Sequence, residues 1–189
     1  PKKTYSKNEF KVDSAIFRLN KGDIGKCKSD KKPTGGYKYS GRQEITHKLL
    51  PGKNIFEAEI LTAGAPQYRS HFFQIHDGRS KGKPPSMVSV NKDWMIRNQH
   101  SIDCFKPNCK QLSYDAYLKP GERKNFKAEV EYINKEKKIS AKYYLDGELI
   151  IQHLNVPLDT KKTDGPYGPN RPYIKTVSYT HLTLPTMQV

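Results

Sequence analysis

Along much of the chain, apolar and polar residues alternate at every second position. In Phe126 to Tyr132 (FKAEVEY), Phe126, Ala128, Val130 and Tyr132 share one parity, and charged residues fill the other. A period of two predicts a half-buried strand with the apolar set turned inward. Lys137 to Leu145 (KKISAKYYL) reads as its partner. Asp146-Gly147 then supplies a tight hairpin turn before the returning strand Glu148 to Gln152. Asn54 to Leu61 (NIFEAEIL) sets Phe56, Ala58 and Ile60 on one side and Ile55, Glu57 and Glu59 on the other. The same reading predicts strands over 15–19, 37–46, 87–90, 94–97 and from Arg171 to Thr176. Turns fall at 50–53 and 118–122, a break at Gly64-Ala-Pro66, and loops over 20–38, 78–85 and 159–170.

One stretch departs from simple alternation. In His71 to Asp77 (HFFQIHD) the period of two puts Phe72, Gln74 and His76 on one face, and Phe73 and Ile75 on the other. Gln74 and His76 then stand roughly 7 Å apart along one face of a strand. An amide and an imidazole presented together on a sheet are candidates to face a substrate.

About ten short strands separated by turn signals predict an all-β fold. The expected architecture is a jelly-roll sandwich of two antiparallel sheets, with a concave face able to hold an extended polymer. Twelve tyrosines, 13 prolines and 13 glycines in 189 residues agree with that class. The length fits a single domain, expected over 1–176. No apolar run is as long as a membrane span, so no membrane partner is expected.

Formal net charge is +15, which favours a polyanionic partner or a merely soluble basic surface. The lysines are spread over the chain, which suits a charged surface or groove. No recognisable nucleic-acid motif accompanies them, so a nucleic-acid partner is set aside. Cys104 and Cys109 bracket a turn-rich segment that either closes a small disulfide, suiting a secreted protein, or leaves two free thiols. Cys27 is left over, and the cysteine spacing fits no zinc site. His47, His71, His100 and His153 show no metal-like pairing and read as structural. No cofactor or metal is expected. Tyr114 and Tyr117 are either sugar-stacking platforms or plain surface aromatics.

Residues Val177 to Thr186 (VSYTHLTLPT) resemble the translation of a transposase-end sequencing adaptor, and 177–189 is expected to be a non-native tail. The natural sequence is then expected to change after Thr176.

Three motifs resemble those of the jelly-roll polysaccharide lyases, the group of alginate lyases, glucuronan lyases and heparin-lyase-like enzymes. Arg42-Gln-Glu-Ile45 resembles R-[ST]-E-[LV]-R, with Gln43 at the second position and Thr46 in place of the last arginine. Gln74-Ile-His76 is identical to Q-[IV]-H. Tyr173-Ile-Lys-Thr176 resembles the opening of Y-F-K-A-G-[VI]-Y-N-Q, whose catalytic tyrosine falls in register with Tyr179 of the adaptor-like stretch.

The resemblance implies cleavage of a uronate polymer by β-elimination. Arg42 and Gln74 would neutralise the substrate carboxylate, so that the adjacent C5 proton becomes acidic. Neutral His76 would remove that proton, because imidazole titrates near working pH. Tyr179 would protonate the leaving O4 oxygen. Lys175, Tyr173 and Glu44 would bind substrate. The expected protein is a secreted, monomeric polysaccharide lyase acting on an acidic polysaccharide, the alternative being a non-catalytic binding module of the same fold. Bland roles compete: Arg42 can pair with Glu44 or Glu59 as a weak surface ion pair, and Lys175 can guard an edge strand.

Overall fold

The computed structural model describes residues 16–17, 41–61, 70–77, 84–100, 109–158, 172–180 and 187–188. Among them every regular element is a strand: β1 (Ile16–Phe17), β2 (Gly41–Lys48), β3 (Gly52–Leu61), β4 (Ser70–His76), β5 (Ser86–Val90), β6 (Ile96–His100), β7 (Cys109–Gln111), β8 (Arg123–Ile133), β9 (Lys138–Leu145), β10 (Glu148–Pro157), β11 (Tyr173–Thr180) and β12 (Met187–Gln188). They form a seven-stranded sheet in the order β1-β12-β3-β8-β9-β10-β7 and a five-stranded sheet in the order β2-β11-β4-β5-β6. Every ladder is antiparallel. The fold is the all-β, two-sheet jelly-roll sandwich that the patterning predicts.

Alternation builds the core. Phe126, Ala128, Val130 and Tyr132 of β8 are all buried, as are Ile139, Ala141, Tyr143 and Leu145 of β9. They face Phe73, Ile75, Val88, Val90, Ile96 and Ile174 of the five-stranded sheet. The Phe73 ring lies 5.5 Å from Phe126 and 5.6 Å from Tyr143, edge or tilted contacts that aromatic quadrupoles favour. The Asp146-Gly147 hairpin forms as the dipeptide predicts. Both residues have positive φ, 50° and 85°, which matches the right-handed twist of the flanking strands. The Asp146 carboxylate also accepts from the Asn125 amide at 2.8 Å and from Lys124 Nζ at 2.9 Å.

A polar network crosses the interior at one point. Ser86 Oγ of β5 hydrogen-bonds both the Tyr143 hydroxyl and His153 Nδ1 of the opposite sheet. All three residues are fully buried. Burial pushes the Tyr143 phenol well above its ordinary range, so it stays protonated. Desolvation of these groups is thus offset by mutual hydrogen bonds, and His153 is structural in the specific sense of joining the sheets.

The structure corrects two local expectations. Phe72 does not share the face of Gln74 and His76. The β4–β5 register jumps between His71↔Ser89 and Phe73↔Val88, so Phe72 is the extra residue of a bulge. Phe72 and Phe73 are consequently both buried, and both pack on Phe126. The strand expected over 94–97 begins only at Ile96. Trp94 has φ 63° and sits in a turn closed by its amide on the Asn91 carbonyl at 2.9 Å. The short β7 was not expected; it pairs with β10 at the sheet edge. β11 runs on through the adaptor-like residues to Thr180, paired with β2. Cys27, Cys104, Gly64-Ala-Pro66 and the loops over 20–38, 78–83 and 159–170 lie outside the described residues.

Candidate functional site

The candidate residues meet on β2, β11 and β4. β11, the middle one of these three strands, pairs on one side with β4, where Tyr173 stands opposite His76 and Lys175 opposite Gln74. On its other side Tyr173 stands opposite Lys48 and Lys175 opposite Thr46. The same ladder continues with Val177 opposite Glu44 and Tyr179 opposite Arg42. Residues two apart on neighbouring strands share a face. Ile75 and Ile174 point into the core, so Gln74, His76, Tyr173 and Lys175 occupy the outer face of the five-stranded sheet. For Arg42, Glu44 and Tyr179 the backbone register is what is described.

Side-chain geometry joins four of these residues. His76 Nε2 lies 2.9 Å from Gln74 Oε1. An amide oxygen only accepts, so Nε2 carries the proton, and in the neutral ring Nδ1 holds the lone pair. The His76 and Tyr173 rings are stacked, with centroids 4.9 Å apart and planes 7° from parallel. Lys175 Nζ lies 6.0 Å from the centre of the Tyr173 ring, at the outer limit of a cation–π contact. Gln74 is 2% exposed, Tyr173 5% and Lys175 8%. His76 is half-buried. In enclosed surroundings a cation and an amide act on a bound anion with less competition from water. The His76 ring is thus held from one side by an amide acceptor and from one face by an aromatic plane.

Chemically, the arrangement brings together an imidazole fixed as its Nε2-protonated form, a primary amide and an ammonium on the same surface. Neighbouring His47 belongs to the core side, opposite Ile174, and burial lowers its pKa. Glu59 lies on β3 of the other sheet, where it is ion-paired with Arg123.

A groove of about 600 Å³ lies elsewhere, on the outer face of the seven-stranded sheet, lined by Glu57, Glu59, Lys127, Glu129 and Tyr144 among others. Its acids are engaged by basic neighbours: Lys127 Nζ reaches Glu129 at 2.9 Å and Glu57 at 3.8 Å, and Lys53 reaches Glu129 at 3.3 Å. Such a surface offers a polyanion no surplus of positive charge. Of the two tyrosines weighed as platforms, Tyr114 is 61% exposed beneath Arg97, and Tyr117 is half-buried, paired with Met95. Sequence reasoning passed over Arg97, Met87 and Ser89 on this sheet face. Their signal was there, since the alternation of Ser86 to Val90 and Ile96 to Gln99 assigns them outward once Val88 and Ile96 are known to be core.

The sequence matches no known family model and no curated protein sequence. Among solved structures, the chain is similar to Trypanosoma rangeli sialidase in complex with 2,3-difluoro-KDN, with a TM-score of 0.45 at 10% identity over 72% of this chain and 20% of the sialidase. The same sialidase with the inhibitor DANA gives 0.42 at 10% identity, over 73% and 20% of the two chains. Sheep galectin-11 in complex with glycerol gives 0.37 at 9% identity, over 78% and 96%. The chain therefore spans about a fifth of the sialidase's length. Likenesses this distant bear on nothing beyond the all-β architecture already described. The lyase resemblance rests on the motifs and on their register.

Proposed function

We propose that this protein is a polysaccharide lyase that cleaves an acidic, uronate-containing polysaccharide by β-elimination on the outer face of its five-stranded sheet. The observation that carries the reading is the pairing of Gln74-Ile-His76 with Tyr173-Ile-Lys175. Motifs nearly a hundred residues apart come together as two direct cross-strand pairs on one surface.

The steps follow from the groups present. Arg42 and the Gln74 NH2 neutralise the substrate carboxylate by charge-assisted and amide hydrogen bonds, which acidifies the C5–H bond. Gln74 does a second job through its other atom: Oε1 accepts from His76 Nε2 and so leaves Nδ1 as the base nitrogen. His76 takes the C5 proton, the C5–H electron pair becomes the C4–C5 double bond, and the C4–O4 bond breaks. Tyr179 delivers a proton to O4. The Tyr173 ring keeps the imidazole plane fixed, and Lys175 binds a substrate carboxylate.

Incubation with alginate, polyglucuronate and heparin tests the reading through the ultraviolet absorbance of the unsaturated uronate end. His76→Ala and Tyr179→Phe are each expected to remove that signal. Binding of a polyuronate without product would select the non-catalytic module instead. A Tyr179→Phe variant with full activity would assign the acid elsewhere and leave the adaptor-like stretch without a role.

A further inference from the structure

Arg97 and Tyr114 form a second grouping on the sheet face that carries Gln74. Gln74 pairs with Met87, and Met87 with Gln99, two residues along β6 from Arg97. Arg97 itself stands opposite Ser89, and Ile96 beside it is core. Two strand spacings and two residues of rise set Arg97 about 12 Å from Gln74. The segment after β7 lies along the same edge: the Ile96 amide donates to the Ala116 carbonyl at 2.7 Å, and the Leu118 amide donates to the Trp94 carbonyl at 2.9 Å. This brings Tyr114 against Arg97, whose guanidinium carbon lies 5.4 Å from the ring centre. Arg97 Nη1 is buried and makes no hydrogen bond among the described residues. A buried donor without an acceptor is the exception in folded proteins and calls for an explanation.

We propose that Arg97, backed by Tyr114, is a second carboxylate-binding position, which holds a uronate residue of the polymer away from the one being cut. The inference rests on the polyuronate reading above and adds to it the direction of the chain: across the strands, from β11 over β4 and β5 to β6. The guanidinium fork matches a carboxylate in two parallel hydrogen bonds, and stacking on an aromatic face holds that fork in plane. Tyr114, being exposed, leaves its outer side open to a sugar ring while it backs the guanidinium. The position of Arg97 on β6, the outermost strand of the sheet, suits a residue that reads chain length and leaves the bond-breaking step to β4 and β11.

The test measures binding, on the His76→Ala background, of oligoglucuronates and alginate oligosaccharides of increasing length by calorimetry. Affinity is expected to step upward once the oligomer is long enough to reach β6. Arg97→Ala and Arg97→Gln are each expected to remove that step, about tenfold or more. Arg97→Lys should restore only part of it, since an ammonium lacks the fork, and carboxyl-reduced oligomers should show no Arg97-dependent step. A step that survives both variants overturns the proposal, as does a uniform loss at every length together with a lowered Tm, which marks Arg97 as merely structural. If wild type cuts polyuronates yet the step ignores Arg97, this inference fails and the lyase reading stands. If the step depends on Arg97 yet no unsaturated product forms, the lyase reading fails and this inference stands.

Discussion

Ser86→Ala is expected to destabilise the fold far beyond an ordinary serine substitution. Its Oγ is shared by the Tyr143 hydroxyl and His153 Nδ1, and all three residues are fully buried between the sheets. Removing the oxygen takes a hydrogen-bond partner from two buried polar atoms at once. A buried polar group left unpaired costs about 1–3 kcal/mol, so the pair costs about 2–6 kcal/mol. That is a large share of the roughly 5–15 kcal/mol that holds a domain of this kind together. Tyr143→Phe removes the phenol itself and leaves Ser86 bonded to His153, so it should cost only about 1 kcal/mol for the hydrogen bond. The double variant Ser86→Ala/Tyr143→Phe should be less destabilised than the sum, because one of the two stranded groups is gone. Urea unfolding followed by the fluorescence of the single tryptophan, Trp94, which packs against the core, reads all three. The functional consequence is local. Ser86 pairs with Ile75, the residue between Gln74 and His76, so the network fixes the strand that carries them. A Ser86→Ala variant within about 0.5 kcal/mol of wild type, or strictly additive costs, would refute this reasoning.

Other expectations follow from single features. His76→Ala should lower product formation from polyuronates by at least about a hundredfold, read by ultraviolet absorbance, with the unfolding midpoint little changed because the ring is only half-buried. Gly147→Ala should cost about 1 kcal/mol in thermal or urea unfolding: φ is +85°, and an added Cβ would meet open space, so backbone conformation supplies the whole effect. Lys124 holds the Asp146 carboxyl below its usual range, and Lys127 does the same for Glu129. Each contributes stability above the unfolded carboxyl pKa, lost as pH falls through the folded value. Asp146→Asn, which tolerates the positive φ, should therefore flatten the acid limb of a stability-against-pH curve; a limb of unchanged steepness would count against it.

Legibility in the sequence followed the physics of each element. Strands with one wet and one dry face announced themselves, as in Phe126 to Tyr132, because burial on one side imposes a period of two. The hairpin at Asp146-Gly147 was readable because so few dipeptides accept two positive φ values. Gln74 and His76 were found for the same reason, as polar residues on a strand otherwise apolar. The bulge at Phe72 was not readable. Two adjacent phenylalanines fit plain alternation equally well, and only the mismatch with β5 forces both inward. Trp94 looked like a strand residue by composition, while its turn depends on tertiary contacts of the segment reaching Leu118. The Ser86–Tyr143–His153 network joins residues from three separate strands, and nothing in the spacing of a serine, a tyrosine and a histidine marks such a meeting. Motif resemblance assigned Gln74, His76, Tyr173 and Lys175 to one site, but no signal in the sequence marked the direct pairing of β4 with β11.

The most direct test is a time course of ultraviolet absorbance with alginate or polyglucuronate as substrate, wild type against His76→Ala. A polyuronate lyase in which His76 removes the C5 proton gives a steady rise for wild type and a flat trace for the variant. A flat wild-type trace on every polyuronate, or a His76→Ala trace that rises as fast as wild type, would contradict it.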